Sequence, residues 1–99
     1  EYLREVEQDL NEGADAIIIK PALAYLDIIN EVRRSFDVPI IAYNVSGEYS
    51  MIKSSAEKGQ INEKDVLMET IHCMKRAGAN AIITYFAHDI AKILNSKNV

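Results

Sequence analysis

Cysteine occurs once in this 99-residue chain, at Cys73. That excludes an internal disulfide framework and a zinc site built from this chain's cysteines alone. No apolar run approaches the roughly 20 residues of a membrane-spanning helix, and no charged-apolar-small leader opens the chain. Basic residues do not cluster beyond Arg33–Arg34, so the electrostatic footprint of a nucleic-acid binder is missing. What remains is a mildly acidic chain of net charge −4, with 48% hydrophobic and 26% charged residues. This is the composition of an ordinary globular protein with a modest core, expected in the cytoplasm. The chain does not begin with methionine, and residues 2–12 already carry Leu3, Val6 and Leu10 at helical spacing. It is expected to be a segment of something longer.

The rest of the chain is organised around residues 16–21, AIIIKP. A short, continuous, β-branched run is the pattern of a parallel strand covered on both faces. The proline ends it and leaves Lys20 at the strand's carboxyl end. Enzymes with parallel α/β sheets place their chemistry there. A lysine in that position has two fates. Its stem can lie along the rim with the ammonium in water. Alternatively it is desolvated, and its neutral amine attacks a carbonyl carbon to form a Schiff base.

Periodicity predicts the other elements. A helix over 23–36 carries Tyr25, Ile29, Val32 and Phe36 as its apolar stripe. A second strand covers 39–44, PIIAYN, and a loop turning at Gly47 covers 45–48. A helix over 49–58 follows, with Tyr49, Ile52 and Ala56 on one side. Asn62 is the expected N-cap of a helix to Ala77 that turns Leu67, Ile71 and Met74 inward. The third strand is 80–85, NAIITY, and a last helix over 87–95 points Ile90 and Leu94 inward. The sequence GADAII at 13–18 recurs as GANAII at 78–83, each copy joining a helix end to a strand. Strands alternating with helices imply right-handed crossovers and a parallel sheet. Three parallel strands leave both edges open. The fold class is therefore α/β, about three consecutive units of a (β/α)8 barrel, which normally takes about 250 residues. A doubly wound open sheet is the alternative. Residues 1–99 form one partial barrel domain.

In a parallel sheet the carboxyl ends share one side. Lys20 ends the first strand, Tyr43, Asn44 and then Ser46 follow the second, and Thr84 and Tyr85 end the third, so that a lysine, a serine and a tyrosine would meet at one mouth. Each has a plain explanation as well: Ser46–Gly47–Glu48 as a turn with a cap, Tyr85 as a rim aromatic. Together, hydroxyl donors beside a lysine suit a substrate with a ketone and a carboxylate. Cys73 lies beside an inward stripe and is expected to behave as a small hydrophobe. His72 and His88 lack partners at metal-ligand spacing and are expected on the surface. Arg33–Arg34 fits the basic end of a helix.

The stretches EGADAIIIKPALAYLDII (12–29), PIIAYNVSGEYSMIK (39–53) and KRAGANAIITYFAHDIA (75–91) resemble the C-terminal part of the δ-aminolevulinic acid dehydratase (porphobilinogen synthase) family. They cover nearly the whole chain in order, and YNVSGEYSMIK is the most specific of them. The resemblance implies a (β/α)8 barrel, usually octameric, that condenses two molecules of 5-aminolevulinate into porphobilinogen for tetrapyrrole and heme synthesis. It implies that Lys20 forms the Schiff base with the first-bound substrate. It implies that Ser46 and Tyr85 hold that substrate's carboxylate and that Tyr43 packs beside the imine. Glu5 matches a glutamate that in many members helps bind an allosteric magnesium through its water shell. By itself Glu5 is one acid on a solvated helix face. The family location is cytoplasmic, or plastid in photosynthetic and apicomplexan sources.

The family's second lysine, the arginines for the second carboxylate, the lid and the zinc-binding cysteines of some members lie upstream and have no counterpart here. The use of zinc by the parent enzyme is therefore undecided by this chain. The segment alone is expected to be inactive. Two alternatives stand beside this reading: another Schiff-base barrel of the class I aldolase kind, and a non-catalytic half-barrel that self-assembles through its open edges.

Overall fold

The computed structural model describes residues 2–97. Helix α1 (Tyr2–Asn11) precedes strand β1 (Ile17–Ile19); a 3-10 turn (Leu23–Tyr25) leads into α2 (Leu26–Ser35) and then β2 (Ile40–Asn44). Helices α3 (Ser46–Glu57) and α4 (Glu63–Ala77) follow, then β3 (Ala81–Thr84) and α5 (Ala87–Lys97). The three strands form one sheet in the order β1-β2-β3, and both pairings are parallel. Ile17 pairs with Ile40 and Ile19 with Ala42; Asn44 pairs with Thr84. The expected architecture of consecutive strand–helix units is therefore present.

Side chains alternate across a strand, and here the two faces differ. Ile17, Ile19, Ile40 and Ala42 are buried under the helices with Val6, Ile29, Val32 and Met74. A second cluster holds Ile52, Leu67 and Phe86, with Tyr49, Val66, Ile90 and Ile93 packed against it. The opposite face is open: Ile18 is 55% exposed and Ile83 44%. The expectation that the III run is covered on both faces is thus corrected. Helices α1, α2 and α4 cover the buried face, and the bare side is the one a closed barrel turns inward.

Several local expectations change. The helix expected over 23–36 is broken, because the 3-10 turn advances about 120° per residue and shifts the phase. Tyr25 is consequently 41% exposed instead of part of the buried stripe, whereas Ile29 and Val32 keep their places. The loop expected over 45–48 is instead the start of α3, with Gly47 inside the first helical turn. No side chain caps this helix; Glu48 anchors it from within, as described below. Leu94, expected inward, is 47% exposed, and the inward positions of α5 are Ile90 and Ile93. Leu94 lies in a shallow apolar groove with Ile71, Ile82 and Ile90 beside β3, which among the described residues has no neighbouring strand on that side.

Other expectations match. The Asn62 side chain accepts from the Asp65 N–H at 2.9 Å and caps α4. Arg33 and Arg34 occupy the last turn of α2. Arg33 also reaches across to the α4–β3 connection, its Nε donating to the Gly78 carbonyl at 3.0 Å. Gly78 has φ +126°, and a Cβ there would come within 2.9 Å of the Arg33 side chain; the close approach requires glycine. Lys53 and Glu63 form an ion pair at 3.2 Å between α3 and α4. His72 and His88 are exposed. Cys73 is half-buried and free, and its Sγ accepts from Arg76 Nη2 at 3.5 Å.

Candidate active site at the carboxyl ends of the strands

Lys20 follows β1 directly and is exposed. Its backbone is held from both sides. Ile19 pairs with Ala42 before it, and the Ala22 N–H donates to the Tyr43 carbonyl at 3.0 Å after it. By alternation Lys20 shares the open face with Ile18. Its Nζ lies 5.9 Å from the centre of the Tyr43 ring, within the range of a cation–π contact.

Tyr85 follows β3 and is 56% exposed. Its ring packs at 5.5 Å from that of Tyr49, which in turn meets the buried ring of Phe86 at 4.5 Å in a tilted arrangement. Hydrogen bonding with the Tyr43 side chain, then the charge of that phenol, pushes the Tyr85 phenol above its ordinary tyrosine value. It therefore keeps its proton, and can donate it in a hydrogen bond, throughout the neutral range. The structure thus places the Lys20 ammonium over the Tyr43 ring and the Tyr43 phenol close enough to shift that of Tyr85. Ser46 is the first residue of α3, exposed, two positions beyond β2. The helix start directs free N–H groups and a partial positive charge to this end of the sheet, and both favour an anion.

Beneath these side chains lies a group that residue types did not single out. Glu48 is 4% exposed. One oxygen accepts from the Leu23 N–H at 2.9 Å and the other from Asn44 Nδ2 at 2.6 Å. Asn44 Oδ1 accepts from the Thr84 hydroxyl at 2.7 Å, and Thr84 Oγ1 accepts from the Phe86 N–H at 3.1 Å. The only local signal was the spacing of Asn44 and Glu48 four residues apart; the Leu23 contact has no trace in sequence.

Glu5 is exposed on α1. Among the described residues no three His, Cys, Asp or Glu side chains come together as a metal site. A lone carboxylate is not a donor set for magnesium, which takes near-octahedral oxygen coordination. The described residues do not make such a site by themselves. No helix among them is long and apolar enough to cross a membrane.

Parallel strands joined by helices, with a lysine and hydroxyl donors at their carboxyl ends, define part of a (β/α) barrel. The family model for delta-aminolevulinic acid dehydratase matches residues 1–93. The delta-aminolevulinic acid dehydratase of Staphylococcus aureus is 58% identical over 95 residues, covering 96% of this chain and 29% of that protein. That of Halalkalibacterium halodurans is 56% identical over 97 residues, covering 98% of this chain and 30% of that protein. A crystal structure of the Toxoplasma gondii ME49 enzyme (porphobilinogen synthase), in complex with the reaction product porphobilinogen, matches with TM-score 0.89 and 49% identity. The match covers 91% of this chain and 26% of that one. The chain belongs to the delta-aminolevulinic acid dehydratase family and spans under a third of the length of these relatives. That membership removes the aldolase alternative.

Proposed function

We propose that this chain is the part of a porphobilinogen synthase that binds the first 5-aminolevulinate and carries the Schiff-base lysine. The observation that supports the reading most is the placement of Lys20 at the end of β1, in contact with Tyr43, in a chain of this family. The Lys20 amine, in its neutral form, adds to the ketone carbon of the substrate. The resulting carbinolamine loses water and leaves an iminium, an electron sink for the later carbon–carbon and carbon–nitrogen bonds. Ser46 and Tyr85 donate to the substrate carboxylate and so set where the ketone lies relative to the amine. Tyr43 packs beside the imine.

The remaining barrel strands, the second substrate's site and any zinc ligands belong to the part of the enzyme outside this chain. The segment alone is inactive on this reading. The whole enzyme is a homo-octamer in the cytoplasm; the bacterial relatives support the location, and a plastid is the counterpart in photosynthetic or apicomplexan sources. Glu5 enters only as one outer carboxylate toward an allosteric magnesium completed from outside the chain.

The test is porphobilinogen formation from 5-aminolevulinate by the intact enzyme that contains this sequence, with the 99-residue chain assayed beside it. The intact enzyme forms product and the chain alone does not; an intact enzyme without product overturns the reading. Within the intact enzyme, Tyr85→Phe removes one donor to a charged group. Its expected effect is a KM increase of about 10-fold, from the loss of about 1.5–3 kcal/mol of hydrogen bonding to a charged group offset by water. An unchanged KM would count against the carboxylate role of Tyr85.

A further inference from the structure

We propose that Glu48 is a positioning residue that holds the Lys20, Ser46 and Tyr85 segments in register with one another; the inference rests on the function proposed above. Its carboxylate is buried, sits in the first turn of α3 two residues from Ser46, and accepts one hydrogen bond on each oxygen. The Leu23 N–H belongs to the segment that leaves Lys20. Asn44 ends β2 next to Tyr43, and through it the bonds run to Thr84, the residue before Tyr85. One side chain thereby ties the three connections that follow β1, β2 and β3.

The bonds have a direction. The Leu23 N–H and Asn44 Nδ2 both donate toward Glu48, which leaves Asn44 Oδ1 as the acceptor for the Thr84 hydroxyl. Glu48→Gln keeps shape and volume but places an NH2 against one of two donors. An Asn44 flip would satisfy that NH2, yet it would turn the Asn44 amide nitrogen toward Thr84. The Thr84 hydroxyl hydrogen would then lose its acceptor. Asn44→Asp alone sets two carboxylates face to face. The double variant Glu48→Gln/Asn44→Asp restores every bond: the Leu23 N–H to the new amide oxygen, the new NH2 to the new carboxylate, and the Thr84 hydroxyl to its second oxygen. Only the charge has moved, from position 48 to position 44.

The experiment measures the rate of borohydride-trapped 5-aminolevulinate adduct on the Lys20 peptide, together with KM, in the intact enzyme and these three variants, at a temperature where circular dichroism shows each folded. Each single change is expected to slow trapping and raise KM by about 10-fold or more, with the double variant within about 3-fold of wild type, the coupling expected of groups in one network. Trapping in Glu48→Gln at the wild-type rate overturns the proposal. So does a double variant as slow as either single one, or one that does not fold, because it has all the hydrogen bonds the proposal requires. If Glu48→Gln itself does not fold, the double variant decides alone. No Lys20 adduct in the wild-type enzyme would instead overturn the functional reading and leave the role of Glu48 in the fold intact.

Discussion

Replacing Lys20 by alanine in the intact enzyme abolishes the trapped adduct on its peptide and lowers porphobilinogen formation by on the order of 10⁴-fold or more, leaving only binding and electrostatic effects. Alanine has no nucleophile, and the side chains that contact this position offer none for imine formation: Tyr43 and Tyr85 are phenols, and a phenol cannot form an imine. The same change should hardly touch the fold. Lys20 follows the strand instead of pairing within it and takes no part in either packed cluster. A substitution outside the packed core usually shifts stability by less than about 0.5 kcal/mol. The informative result is therefore the combination of lost adduct and an unchanged urea midpoint. Retained activity in a folded Lys20→Ala enzyme would remove the Schiff base from this position.

The second large effect is one of stability. Phe86→Ala should destabilise the protein by about 3–5 kcal/mol, the range for truncating a fully buried aromatic ring. Phe86 is wholly buried, packs with Ile52 and Leu67, and meets the Tyr49 ring at a tilt. Its backbone N–H and carbonyl are both engaged, by Thr84 Oγ1 and by the Ile90 N–H at 2.9 Å. The cavity would open where β3 turns into α5, at the residue after Tyr85. Tyr49, which touches both rings, would lose one of its two aromatic neighbours. Urea unfolding should show the loss, and Phe86→Leu should recover much of it by refilling the volume. A loss below about 1 kcal/mol would mean that the site collapses without cost.

The parts of this molecule legible in sequence are those with local causes. The III run, the proline after it and the strand–helix alternation placed Lys20 at a strand's carboxyl end. Asn62 showed its cap by type and spacing. Ser46 and Tyr85 were visible as strand-end hydroxyls, and their roles came from likeness to a family. What failed to show depends on contacts between distant residues. Gly47 looked like a turn because nothing local reveals that Glu48 is fastened to Leu23 and Asn44. Tyr25 looked buried because one short 3-10 turn, invisible in the apolar pattern, resets the helical phase. Leu94 looked inward because periodicity assumes a neighbour on every apolar stripe, and among the described residues no strand lies beyond β3.

Ile17, Ile18 and Ile19 are chemically identical and adjacent, yet they belong to different folding units. The outer two are buried under helices of this chain, whereas the middle one is 55% exposed. Truncating Ile19 is felt wherever the segment folds. Truncating Ile18 is felt only when further strands close over it. The boundary between what this segment stabilises by itself and what it leaves to the rest of the barrel therefore passes through single strands, between one side chain and the next.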